Sequence, residues 1–217
     1  GDSNADLEAA AGGDGIMNRW FLDALYRGHY PDDVARLYGD AMPEIAPGDM
    51  ELISQPTDVL GINYYFRWLM AHDPEAQPFQ ARLVVPPSAP VTAMGWEVYP
   101  EGLYQVLTRV HADYGPSRIL VTENGAAYED VVEDGQVDDP DREAYLREHL
   151  LQAHRAVEAG VPLAGYFVWS LLDNFEWSLG YGKRFGVIHI DYATQERIIK
   201  RSGRWYAEVT RENRVSG

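Results

Sequence analysis

Hydrophobic and polar positions along the chain change period several times, and each change marks an element. From Ile16 the residues Ile16, Trp20, Phe21 and Leu25 recur at helical spacing, and Gly28 with Pro31 marks the stop. The stretch before it, up to Asp14, is rich in Ala, Gly and acid and reads either as a frayed end or as the start of a helix. A second short helix is expected over Asp32 to Leu37, because Pro31 suits a first helical turn; Pro43, Pro47 and Gly48 then break the pattern. Thr57 to Tyr65 reads as the first clear strand, and the two-residue alternation of a strand places Asn63 and Tyr65 on one face. Between Ala71 and Ala93 there are many prolines and no period, as in a long surface loop.

Leu103, Val106, Leu107 and Val110 give the buried face of a helix that starts at Pro100 and ends at Gly115-Pro116. The apolar run Ile119-Leu120-Val121 follows and stops abruptly in Thr122-Glu123-Asn124-Gly125, so a carboxylate falls at the carboxyl end of a buried strand. Acidic residues from Glu129 to Asp139 read as a solvated loop, with Asp139 as N-cap and Pro140 as first residue of the next helix. Leu146, Leu150, Ala153 and Val157 should line the buried side of that helix. Leu163 to Ser170 is apolar throughout, the mark of a buried parallel strand, and Phe185 to Tyr192 suggests a short hairpin before a last helix near Trp205. Strand, helix and strand in this order make right-handed units with parallel strands, whose carboxyl ends would bring Glu123, Tyr65 and Trp169 to one mouth. No internal repeat and no dividing linker is visible, and residues 1–217 are read as part of one α/β domain.

Composition narrows the partners more than the fold. At 217 residues and 46% hydrophobic content the chain can bury a substantial core. Its formal net charge of -16 argues against a nucleic-acid backbone or an anionic membrane surface and favours a neutral substrate. Absence of cysteine excludes disulfides and thiolate metal sites and allows a reducing compartment such as the cytoplasm. Among six histidines only His149 and His154, five apart on a predicted helix, come near a tight ligand spacing, and neither metal nor organic cofactor is expected. No apolar run approaches the roughly 20 residues that span a bilayer. The first residues carry neither an initiator methionine nor a signal peptide and read as the interior of a longer chain.

Asn-Gly is a common turn dipeptide, so Glu123 alone could be no more than a solvated strand end. A carboxylate at the mouth of a barrel, with a phenol donating to it, suits a nucleophile that stays ionised. Trp96, Trp169, Trp177 and Phe185 offer faces that stack on a sugar ring, and Glu176 can accept from sugar hydroxyls, although such aromatics also serve as core. On spacing alone both readings stand.

Five blocks go further. Val121-Thr122-Glu123-Asn124-Gly125 resembles the nucleophile motif of family 1 glycoside hydrolases, the β-glucosidases and their relatives. Asn18-Arg19-Trp20-Phe21-Leu22-Asp23 is similar to the family's helix after its fifth strand, and Leu60-Gly61-Ile62-Asn63-Tyr64-Tyr65 to its sixth strand. Met94 to Leu103 and the run from Trp169 through Trp177 to Phe185-Gly186 complete the resemblance, in the family's order. It implies the C-terminal part of a (β/α)8 TIM barrel, with strands like the sixth to eighth. It also implies Glu123 as nucleophile, Tyr65 as its hydrogen-bond donor and Asn63 near the bound sugar. Trp169 would floor the sugar site, Glu176 and Trp177 would take the distal hydroxyls, Phe185 would pack beside them and Trp96 would stand on the leaving-group side. A carboxylate at Glu176 would repel a phosphate on the sugar, which favours a neutral hexose.

The chain has no Asn-Glu-Pro, the motif from which the family draws its acid/base, and a retaining enzyme needs a second carboxyl about 5 Å from the nucleophile. Three strands would also leave open edges. The expectation is therefore a retaining β-glucosidase whose N-terminal part, a separate fragment or chain bound non-covalently, completes the barrel. The alternatives are a saccharide-binding remnant without turnover, a relative acting on galactosides, fucosides or thioglucosides, and an unrelated barrel fragment with Glu123 in a turn.

Overall fold

The computed structural model describes residues 3–76 and 80–215. By its internal packing the chain forms two compact units, Gly1–Asp58 with Trp68–Pro86, and Val59–Arg67 with Pro87–Gly217.

The first unit is mostly helical. Helix α1 (Asn4–Asp14) opens on Ser3, whose side chain accepts from the Asp6 amide at 3.1 Å, and passes through a π-helical turn, Gly15–Arg19, into α2 (Trp20–Arg27). The opening stretch is thus helix and not frayed. Arg19 explains why the wide turn holds: its guanidinium bonds Asp14 at 3.0 Å and grips Asp33 of α3 (Asp32–Tyr38) with two bonds of 3.0 and 2.6 Å. Gly28 ends α2 at φ 70, as its position predicts. Helix α4 (Asp49–Ile53) follows.

The second unit holds the sheet. Strand β1 (Leu60–Asn63) is shorter than Thr57 to Tyr65, and its pairing slips between Ile62 and Asn63. The next segment belongs to the first unit and corrects the reading of an unstructured loop: β2 (Met70–His72) and β3 (Ala81–Leu83) pair antiparallel. Three-residue strands are too short to show a period, and residues 77–79 lie outside the described residues. Returning to the second unit, α5 (Glu101–Tyr114) ends at Gly115 and leads into β4 (Ile119–Asn124). The acidic segment after it forms a small hairpin, β5 (Val132–Glu133) with β6 (Gln136–Val137). Helix α6 (Pro140–Glu158) starts with Pro140 in its first turn, and β7 (Leu163–Val168) follows. Strands β8 (Ile188–Ile190) and β9 (Arg197–Ile199) form a hairpin whose second strand lies beyond the predicted Phe185 to Tyr192, and α7 (Arg201–Glu212) carries Trp205.

Strands β1, β4 and β7 form a parallel sheet in the order β1-β4-β7, with β4 in the centre. One face packs on helices through a core of Ala126, Tyr145, Leu146 and Val187, with Val98, Val168 and Trp205 against it. The other face is open at Gly61, Asn63, Thr122, Ala164 and Phe167, which corrects the reading of the third strand as buried on both sides.

Helix α6 departs from its predicted face. Val157 is 47% exposed, while Arg142, Tyr145 and His149 are fully or almost fully buried beside Leu146 and Ala153. Polar side chains occupy the inner stripe because they carry hydrogen bonds there, which a hydrophobic period cannot reveal. Asp139 and the side chain of Asp130, placed by sequence in a solvated loop, are buried too. Asp139 makes no capping bond but pairs with Arg142 and accepts from Ser202 Oγ at 2.5 Å.

Candidate active site

Glu123 is the last residue but one of β4, and Tyr65 stands just past the end of β1 on the neighbouring strand. The bulge between Ile62 and Asn63 brings Asn63 level with Glu123, and the Tyr64 amide donates to the Glu123 carbonyl at 2.9 Å. From there the Tyr65 hydroxyl reaches the carboxylate and donates to Oε2 at 2.7 Å. Burial, and then the bond to Glu123, push the Tyr65 phenol far up from its ordinary value, so it keeps its proton and donates at all physiological pH. One carboxylate oxygen is thereby engaged and the other left for chemistry.

Aromatic rings wall this pair. Trp96 lies edge-on to Tyr65 with centroids 5.5 Å apart and stacks on Phe66 at 4.8 Å. Phe185, buried, meets Tyr65 at 6.2 Å and Trp96 at 6.1 Å. Beside Trp96, Glu97 receives two bonds from Arg67, of 2.7 and 2.9 Å, and the same guanidinium covers the Tyr99 ring. Trp169 continues from β7 with its amide bonded to the Asn124 carbonyl at 2.9 Å, and the Glu176 charge is felt at the Tyr65 phenol. The structure therefore gathers Glu123, Tyr65, Trp96 and Phe185, with Trp169 and Glu176 at the border. Asn63 instead accepts from Thr122 Oγ1 at 2.7 Å on the open face, and Trp177 is 81% exposed.

Sequence reasoning passed over the bracket behind the pair. Asn124, fully buried, donates to the Tyr64 carbonyl at 2.7 Å and to the Tyr145 hydroxyl at 3.2 Å, and accepts from the Tyr166 hydroxyl. Tyr145 in turn donates to the Tyr65 carbonyl at 2.8 Å. Tyr145 and His149 stand four apart on α6 and share a face, a spacing the sequence did display. Also missed was a buried ion network. Lys200 Nζ lies 2.5 Å from Asp130 and 2.9 Å from Asp173, Arg142 pairs with Asp130 and Asp139, and Arg184 pairs with Asp173 at 2.6 Å. It ties the segment after β4 to the segment after β7 and to the start of α7.

Asp130, Asp173 and His189 offer ligand atoms within 4.8 Å of one another, a geometry that a cation could use. The Lys200 ammonium already sits between the two carboxylates, so this donor set is neutralised by the chain itself. His149 and His154 do not converge, since His149 is buried while His154 is exposed and faces Glu158. Among the described residues no helix is long and apolar enough to cross a membrane.

An acid held by a phenol at the carboxyl ends of parallel strands, beside tryptophan and phenylalanine rings, stands where α/β barrels carry their chemistry. Residues 1–215 match the family described as glycosyl hydrolase family 1, and the chain belongs to that family. Beta-glucosidase A of Thermotoga maritima is 50% identical over 194 residues, covering 89% of this chain and 43% of the relative. Beta-glucosidase A of Acetivibrio thermocellus is 42% identical over 212 residues, covering 96% of this chain and 47% of the relative. The solved family 1 β-glucosidase from Thermotoga maritima superposes with a TM-score of 0.96 at 44% identity, over all of this chain and 49% of the other. The chain thus spans about half the length of the relatives it matches, and is a partial α/β portion of their barrel.

Proposed function

We propose that this chain supplies the nucleophile and part of the sugar site of a retaining β-glucosidase acting on terminal, non-reducing β-D-glucosyl residues. The observation that carries the reading is the 2.7 Å bond from Tyr65 to Glu123 at the carboxyl ends of two parallel strands. Glu123 attacks the anomeric carbon with its free oxygen as the bond to the leaving oxygen breaks. An acid supplied by other polypeptide protonates that oxygen. Water, deprotonated by the same group, then attacks the glycosyl ester and releases the sugar with retained configuration and Glu123 restored. The stacking surface comes from Trp169, Trp96 and Phe185, while Glu176 accepts from the distal hydroxyls and the Trp177 indole N–H donates to them.

The partner in this reading is the remaining part of the same enzyme. Its support is the outer edges of β1 and β7, which make no strand pairing among the described residues, and the exposed face that carries Asn63, Thr122 and Phe167. A polypeptide bearing further parallel strands and an Asn-Glu-Pro segment would cover both and bring in the acid. A neutral glucoside fits the Glu176 carboxylate better than a phosphorylated one.

The test uses this chain assembled with that polypeptide and a 2-deoxy-2-fluoro glucoside bearing a good leaving group, followed by peptide mapping. A sugar adduct on Glu123 and loss of turnover in Glu123→Ala are expected. An adduct on another residue, or full turnover in Glu123→Ala, would overturn the assignment. Saturable sugar binding without any adduct would point to a saccharide-binding remnant instead.

A further inference from the structure

We propose that Tyr145 of α6 is a positioning residue for the nucleophile: its hydroxyl, bonded to the Tyr65 carbonyl, fixes the phenol that selects which oxygen of Glu123 reacts. This rests on the hydrolase reading of Glu123 given above. The geometry starts from a gap in the sheet. Strand β1 ends at Asn63, so the carbonyls of Tyr64 and Tyr65 lie beyond the strand proper. Both are taken by side chains instead: Asn124 Nδ2 donates to Tyr64 O at 2.7 Å and Tyr145 Oη to Tyr65 O at 2.8 Å. A tyrosine hydroxyl has one proton, and Tyr145 spends it on Tyr65 while accepting from Asn124 at 3.2 Å.

Asn124 is the chain neighbour of Glu123. One amide therefore holds the nucleophile through the backbone and, by way of Tyr145, holds the donor that faces it. The far end is closed by Tyr166 of β7, whose hydroxyl donates to Asn124 Oδ1. Every hydrogen bond in the series points one way, Tyr166 to Asn124 to Tyr145 to Tyr65 to Glu123, with the carboxylate as final acceptor once the Tyr65 backbone links the last two. Two strands, the segment that follows β1 and one helix are joined by it.

The orientation of Tyr145 is itself fixed. Its ring stacks on His149 with centroids 3.9 Å apart and planes at 27°. His149 Nδ1 lies 2.7 Å from the Tyr145 carbonyl, which can only accept, so the ring carries its proton on Nδ1. Tyr145 and His149 are both buried, and a change in the phenol position would require the whole stack to shift.

Removing the hydroxyl alone tests the assignment. In the assembled enzyme, Tyr145→Phe should lower kcat by about tenfold with KM held within about twofold, because the misplacement acts on the reacting pair and not on sugar binding. The fraction of sites titrated by a 2-deoxy-2-fluoro glucoside should be unchanged. In a Tyr65→Phe background the same substitution should cost less than about twofold further, since Tyr145 acts through the phenol already removed. Introducing p-aminophenylalanine at position 145, which restores a donor toward the Tyr65 carbonyl, should recover most of the rate. Losses that multiply in the double variant, a titratable fraction that falls in step with the rate, or unchanged kcat would each overturn the proposal. If Tyr145→Phe fails to assemble, p-amino- and p-fluorophenylalanine at that position make the same comparison. Glu123→Ala, run alongside, separates the two readings: turnover surviving there sinks the hydrolase assignment, whereas a dead Glu123→Ala beside a wild-type Tyr145→Phe sinks only the positioning role.

Discussion

Gly125 passes so close to Trp169 that a methyl group placed on it would fall 1.8 Å from the Trp169 carbonyl oxygen. The obstacle is backbone, which cannot rotate aside. Gly125→Ala should therefore push β4 and β7 apart next to Glu123, destabilise the fold by about 1–3 kcal/mol or more, and cut activity well beyond that loss. Denaturant unfolding and rates normalised to titrated sites check both parts.

Tyr65→Phe removes the 2.7 Å hydrogen bond to the Glu123 carboxylate. The hydroxyl donates to a charged group, so the rate should fall by roughly 10- to 100-fold while the fold persists. Steady-state kinetics on an aryl glucoside, with thermal unfolding as control, decides it. An unchanged kcat would remove the phenol from the mechanism.

Acid should weaken the fold in two separable windows. Burial holds His149 down to about 4, from an ordinary value of 6.5. The unfolded chain then binds a proton that the folded chain refuses, so stability present above pH 6.5 is lost as pH falls toward 4. The loss amounts to about 3 kcal/mol. His149→Phe keeps a ring against Tyr145 and should flatten this slope in pH-dependent unfolding; a slope that persists would assign it to other groups.

Asp173 gives the second window. Burial pushes its carboxyl up, but Lys200 and Arg184 outweigh that and hold it below the usual carboxylate range. Its contribution is complete above the unfolded value and disappears as pH drops through the folded one. Lys200→Met would leave Asp130 and Asp173 buried beside one cation fewer, and should destabilise the protein by about 3–5 kcal/mol. Thermal unfolding at neutral pH measures it.

Much of this was legible in the residues themselves, for stated reasons. The central strand, the position of Glu123 at its end and the three parallel strands follow from apolar runs cut by turn residues, and the sheet order β1-β4-β7 bears them out. The family resemblance read from five blocks agrees with the match over residues 1–215. Illegible were contacts made by polar side chains on inner faces. Arg142, Tyr145 and His149 look like the solvent side of α6 to any hydrophobic period, because their burial depends on polar partners, some as far as 80 positions away, and on a neighbouring ring. Asp130 and Asp139 stand among exposed acids of the same type, and the placement of Arg142, Lys200 and Ser202 distinguishes them. Short strands such as β2 and β3 carry too few residues to display alternation.

Asn124 and Gly125 have one more consequence, chemical and slow. In a free chain an asparagine before glycine readily closes its side chain onto the next backbone nitrogen and loses ammonia, which makes such amides thermolabile. Here the amide is tethered at both ends and Gly125 is wedged against Trp169, so the ring cannot close while the fold is intact. Each unfolding excursion removes that protection, and conversion of the amide to an acid would set a second negative charge beside Glu123. The lifetime of the folded chain when hot would then be timed by how often this corner opens.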